Sequence, residues 1–298
     1  MCNIVRPPSH VNPPTAPAKT RLTAYLRALV GERHPASSPD RLKNTEDYLA
    51  KEFSRLGLDV VRHPFHALGG AYCNVIGTAR GQQDVSPLIL AAHYDTVEGS
   101  PGADDNASAL AILLDVAHRI KQTSFNRPVH FIAFCLEEED LLGSRAYVTH
   151  LTETRKPVHG AIILECVGYA RDEEGSQRIP PGVPIAVPSV GNFLAVIGNQ
   201  ASAGLTHSVS QAMSRHMPIV PLVVPGNGEL LPDTRRSDHT SFWEHGFPAV
   251  MLTDTANFRN PHYHRPTDTI DTLNLDFMVS VSDAVTAAVI DLAGIADT

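Results

Sequence analysis

Apolar residues fall into two rhythms along this chain. Between Thr20 and Gly57 they recur every three or four positions, first at Leu22, Leu26, Leu29 and Val30, then at Tyr48, Leu49, Phe53 and Leu56. That spacing predicts amphipathic helices. The stretch Gly31–Pro39 divides them in two, and Gly57 stands where a helix C-cap is expected. Asp59–His66 and Ala71–Thr78 flank Gly69-Gly70 and predict a β-hairpin.

From Leu88 onward, short continuous apolar runs alternate with helical patterns. Leu88–His93, Val129–Leu136, Ala161–Val167, Phe193–Gly198, Ile219–Val224 and Ala249–Thr253 read as strands buried on both faces. Ser108–Ile120, Leu141–His150, Ala201–Met217, His239–His245 and Leu275–Leu292 read as the helices between and after them. This alternation predicts an α/β fold with a mostly parallel central sheet and helices on both faces. No internal repeat and no linker between two cores interrupts it, so residues 21–298 read as a single domain behind a Pro-rich tail, 1–20. Arg171–Pro188, rich in Gly, Pro and charge, reads as a long loop.

Composition narrows the classes of function. The 298 residues carry 24 basic and 32 acidic side chains, a net charge of −8, which argues against nucleic acid or an anionic membrane as partner. No run approaches the roughly 18 apolar residues of a membrane span. The N-terminus lacks an apolar signal core, so a cytoplasmic location is expected. Cys2, Cys73, Cys135 and Cys166 form no CxxC, and Cys135 and Cys166 sit in apolar runs as core thiols. Fifteen histidines direct attention to metal chemistry.

In open α/β sheets, ligands bind beyond the carboxyl ends of the strands. Polar residues are concentrated there. The first buried strand ends in His93-Tyr94-Asp95, where residues two apart face the same side, so Asp95 can order His93. Gly102-Ala103-Asp104-Asp105-Asn106-Ala107-Ser108 precedes a helix and suits either capping or ligation. The second strand runs into Glu137-Glu138-Glu139-Asp140, whose mutual repulsion a solvated loop or a cation would relieve. The third ends in Glu165, which needs a partner or a metal if buried. Asn260–Asp268 packs His262, Tyr263, His264 and Asp268 into a Pro-bounded loop. Histidine with carboxylate, and no thiolate, is the hard donor set of hydrolytic zinc, or of cobalt or manganese.

HYDT at 93–96, GADDNAS at 102–108, EEEDLLGS at 137–144, LECVGY at 164–169, RSDHTSFW at 236–243 and PHYHRPTDT at 261–269 together resemble the zinc aminopeptidases with two co-catalytic metals, relatives of bacterial leucyl aminopeptidase and glutamate carboxypeptidase. The resemblance spans about Leu88–Leu273. It implies that Asp105 bridges two zinc ions, with His93 and Glu165 on one and Glu138 and His264 on the other. It makes Glu137 the general base of a peptide hydrolysis, places Asp95 behind His93, and gives Tyr263 the stabilisation of an oxyanion. The substrate would be a peptide or aminoacyl compound, and the activity most simply that of an aminopeptidase. Two departures stand out: Glu165 occupies a position where many relatives have Asp, and Ala109 follows GADDNAS where Gly is usual. The similar glutaminyl cyclases, which use one zinc, and non-catalytic relatives are the competing readings. Asp238 and His239 lie where a helix N-cap at Ser237 or Asp238 is one reading and a place behind the metal ligands or in the substrate wall the other, and Arg259 and Arg265 suit surface or supporting roles or a grip on a substrate carboxylate.

Overall fold

A computed structural model describes residues 17–296. The expected tail therefore lies outside the described residues up to position 16, and its last residues are already helical, because α1 (Ala18–Leu29) starts at Ala18. Helix α2 (Pro39–Arg55) follows, then the antiparallel hairpin of β1 (Asp59–Ala67) and β2 (Gly70–Ala79). The remaining elements are β3 (Leu88–His93), α3 (Ala109–Ile120), β4 (Val129–Phe134), α4 (Leu142–Glu153), β5 (Gly160–Glu165), β6 (Leu194–Asn199), α5 (Ala203–Met213), β7 (Ile219–Val224), α6 (His239–Glu244), β8 (Ala249–Thr253) and α7 (Leu275–Ala293).

The eight strands of the described residues form one sheet, ordered β1-β2-β4-β3-β5-β8-β6-β7. Its centre, β4-β3-β5-β8, is parallel. It is mixed at the flanks, where β2 runs antiparallel to β4 and β6 antiparallel to β8. The parallel centre follows from helical crossovers of the kind the apolar runs predicted.

Both faces of the centre are covered. Leu88, Leu90 and Ala92 point into a core built with α1, α2, α3, α5 and α7, whereas Ile89 and Ala91 point into a second core with Tyr147 and Val148 of α4 and Phe242 and Trp243 of α6. A strand buried on both sides has no polar face to show, which is why these strands read as continuous apolar runs.

Strand ends differ from the sequence reading where the site begins. The apolar run of β4 continues to Leu136, but the strand stops at Phe134: Cys135 donates its N–H to the side chain of Asn74, and Leu136 turns into the left-handed region at φ 60°. Likewise β5 stops at Glu165, and Cys166 turns at φ 48°. These turns end the ladders, the first directly before Glu137 and Glu138 and the second directly after Glu165. Among the described residues, no helix is long and apolar enough to cross a membrane.

Candidate metal centre

Five segments converge at the carboxyl edge of the parallel strands. His93 closes β3, Asp105 lies in the turn before α3, Glu137 and Glu138 follow β4, Glu165 closes β5, and His264 comes from the loop between β8 and α7. Leu136, Cys166 and His264 itself all have left-handed backbone, a conformation costly for non-glycine residues and concentrated at functional sites.

Asp105 occupies the middle. Its Oδ1 lies 3.2 Å from His93 Nε2 and its Oδ2 lies 3.0 Å from His264 Nε2. His93 Nε2 is also 3.4 Å from Glu165 Oε2 and 3.8 Å from Glu137 Oε2. His264 Nε2 is 3.2 Å from Glu138 Oε2. Two trios share Asp105, His93–Asp105–Glu165 and Asp105–Glu138–His264, each with its donor atoms within 4.8 Å of one another, and Glu137 meets the same criterion with His93 and Glu138. Although close and buried, both ring nitrogens of His93, both carboxylate oxygens of Asp105 and Glu138 Oε1 have no hydrogen-bond partner. Buried polar atoms are rarely left so. Converging lone pairs that do not bond one another fit a cation in each trio, and the imidazole–carboxylate donors fit zinc.

The electrostatics agree. Burial, with Glu165 and Glu138 alongside, pushes the Glu137 carboxyl well above its usual range despite the pull of His93. Burial and then Asp105 push Glu138 up to about 7. Crowded carboxylates of this kind are relieved by cations.

The supporting groups were only partly legible. Asp95 lies 3.6 Å from His93 Nδ1, beyond hydrogen-bonding reach, while its two oxygens accept the backbone N–H groups of Glu137 and Glu138, both at 3.0 Å. Ser237 donates to Glu165 Oε2 at 2.7 Å. Asp238, fully buried, does not cap α6, and both its oxygens lack partners. His239 donates to the Thr234 carbonyl at 2.8 Å and sits edge-on to Trp243. Arg259 is buried and committed to the Phe193 carbonyl and to Gln177. Arg33 was missed, and the contacts of Ser237 with Glu165 and of Asp268 with the amides of Asp104 and Asp105 were not foreseen, because each joins distant segments with no local pattern.

Tyr263 stacks on His264 at 3.9 Å between ring centres, and its hydroxyl accepts from Arg236 Nη2 at 3.2 Å. Burial and the charge of Asp105 keep that hydroxyl protonated, so its hydrogen is free to donate. On one side of Tyr263 an apolar cavity, lined by Val183, Ile197, Leu222 and Met251, reaches Glu165. On the other, an open groove lined by Arg145 and Arg235 reaches Glu137, Glu138 and His264.

Residues 74–289, which carry every one of these donors, match the model of peptidase family M28. The chain belongs to peptidase family M28. As an M28 peptidase it is a zinc metallopeptidase, a hydrolase. Among curated proteins it is 33% identical to the uncharacterized protein YfbL of Escherichia coli, over 93% of this chain and 88% of that one. It is 30% identical to the aminopeptidase YwaD of Bacillus subtilis over 72% of this chain, but spans only 44% of that relative's length. The fold is shared with the LapA aminopeptidase of Legionella pneumophila (TM-score 0.75, 22% identity, 94% of this chain and 73% of that one). It is shared also with the zinc aminopeptidase BSAP of Bacillus subtilis (TM-score 0.71, 17% identity, 93% and 97%). A glutaminyl cyclase of Macrostomum lignano has it too (TM-score 0.72, 18% identity, 94% and 91%).

Proposed function

We propose that this M28 peptidase is an aminopeptidase that works with two zinc ions and releases an apolar residue from the N-terminus of a peptide. One observation carries the reading: the two oxygens of Asp105 face two different imidazoles, at 3.2 and 3.0 Å, each with its own further carboxylate. His93, Asp105 and Glu165 would hold one ion, and Asp105, Glu138 and His264 the other. Zinc bound there supplies a Lewis acid for the scissile carbonyl and makes water acidic enough to attack near neutral pH.

The remaining steps belong to the chain's own residues. Glu137 projects between the trios from a buried position, and its raised proton affinity suits a group that takes a proton from the attacking water and returns it to the departing amine. Asp95 holds the backbone of Glu137 and Glu138, so base and ligand keep their relative positions. Tyr263, oriented by Arg236, donates to the oxygen that gains charge as water adds. The apolar cavity beside Glu165 accepts the side chain of the residue released, and the open groove accepts the rest of the peptide. The named aminopeptidases among the relatives support the same reading.

The test joins metal titration to substrate choice. Chelator-treated protein titrated with zinc is expected to bind two ions per chain and then hydrolyse leucyl-p-nitroanilide but not its N-acetyl form. One ion per chain, with cyclisation of N-terminal glutamine instead, would replace this reading with that of a glutaminyl cyclase.

A further inference from the structure

Asp105 stands in a segment without regular helical geometry, between the end of β3 and the start of α3. Something other than a helix or ladder must aim its carboxylate. Two fully buried charged side chains, from opposite ends of the sequence, grip this segment.

Arg33 takes the carbonyls. Its Nη1 donates to Pro101 at 3.1 Å and its Nη2 to Gly102 at 3.1 Å. Nη1 donates also to the carbonyls of Leu29 at 2.8 Å and Gly31 at 2.7 Å, and Nε donates to that of Tyr94 at 2.7 Å. Its three nitrogens thus reach five carbonyls, three of them from Nη1, with no carboxylate among its hydrogen-bond partners. Asp268 takes the amides. Its carboxylate accepts from Asp104 N–H at 3.0 Å and from Asp105 N–H at 3.2 Å, while its own carbonyl accepts from Ala103 N–H at 3.2 Å. Gly102, at φ 61°, lets the backbone pass between them, since a Cβ there would lie 2.8 Å from Arg33 Nη2.

A cation on the carbonyls and an anion on the amides match the dipoles of one short backbone segment. Burying either charge is costly unless its donors or acceptors are satisfied, and here the segment satisfies them. Asp268 lies four residues after His264, so the grip also ties the second imidazole to the bridging carboxylate. Arg33 lies outside the span matched by the family model, 74–289.

We infer that Arg33 and Asp268 form a clamp that sets Asp105 in its bridging pose before any cation binds. Both are positioning residues, and the inference rests on the two-cation reading above. Arg33→Lys keeps the charge but cannot reach five carbonyls. Asp268→Asn keeps the shape but loses the anion. Each folded variant is expected to bind zinc about 10- to 100-fold more weakly in chelator competition, the usual effect of losing a group that orients ligands. Hydrogen exchange of the metal-free wild type supplies a readout that needs no variant: the amides of Asp104 and Asp105 are expected to be protected already without zinc. Fast exchange at those amides that slows only on adding zinc would overturn the clamp, and so would folded variants that bind zinc as tightly as the wild type. Zinc stoichiometry of the wild type, measured alongside, separates failure of the clamp from failure of the two-cation reading.

Discussion

The carboxylate of Asp95 accepts the backbone N–H of Glu137 at 3.0 Å, joining the turn after β3 to the turn after β4. Its other oxygen does the same for Glu138. One buried side chain thus sets the backbone of the candidate base and of a candidate ligand. Asp95→Asn removes the anion and presents one acceptor in place of two. Turnover of leucyl-p-nitroanilide and zinc affinity are both expected to fall, each about 10- to 100-fold. Steady-state kinetics and chelator competition on the same preparation check this.

Glu137→Gln preserves size and packing while removing the proton acceptor. It is expected to keep full zinc occupancy but lose about 10²- to 10⁴-fold in kcat, the usual scale for a general base. Metal analysis of the purified variant beside its kinetics decides the matter, since full activity would remove Glu137 from the role.

Tyr263→Phe keeps the ring stacked on His264 and removes only the hydroxyl, which accepts from Arg236. Losing one donor to a developing oxyanion is expected to lower kcat by about 10²- to 10³-fold with little change in KM. An equal loss spread into KM would instead mark Tyr263 as a wall of the substrate pocket.

His239 is buried, and burial holds its imidazole down to about 4. The unfolded chain's histidines titrate near about 6.5. Between those values the unfolded state binds the extra proton, so this residue's contribution to stability is complete above about 6.5 and is lost as pH falls towards about 4. His239→Gln retains a donor for Thr234 but does not titrate. The gap in melting temperature between wild type and variant is expected to narrow as pH is lowered from 7 to 4.5, measured by circular dichroism.

Hydrophobic patterning by itself determined the elements of this protein, because strands buried on both faces must be apolar throughout and helices buried on one face must repeat near every third or fourth residue. The strand limits of Ala249–Thr253 and Ile219–Val224 coincide with the sequence reading. His93, Glu137, Glu138 and Glu165 were legible for the same reason: a polar residue directly after an apolar run marks the edge where the sheet meets its ligand. Tertiary structure alone decided the order of the strands and the reversed direction of β2 and β6, since pairing partners lie far apart in the chain. It also decided which distant groups complete the site. Arg33 acts on the carbonyls of 101 and 102, Asp95 on the amides of 137 and 138, and Asp268 on those of 104 and 105. Each of these bonds ends on backbone, which every residue type carries equally, so no side-chain pattern announces it before the chain has folded.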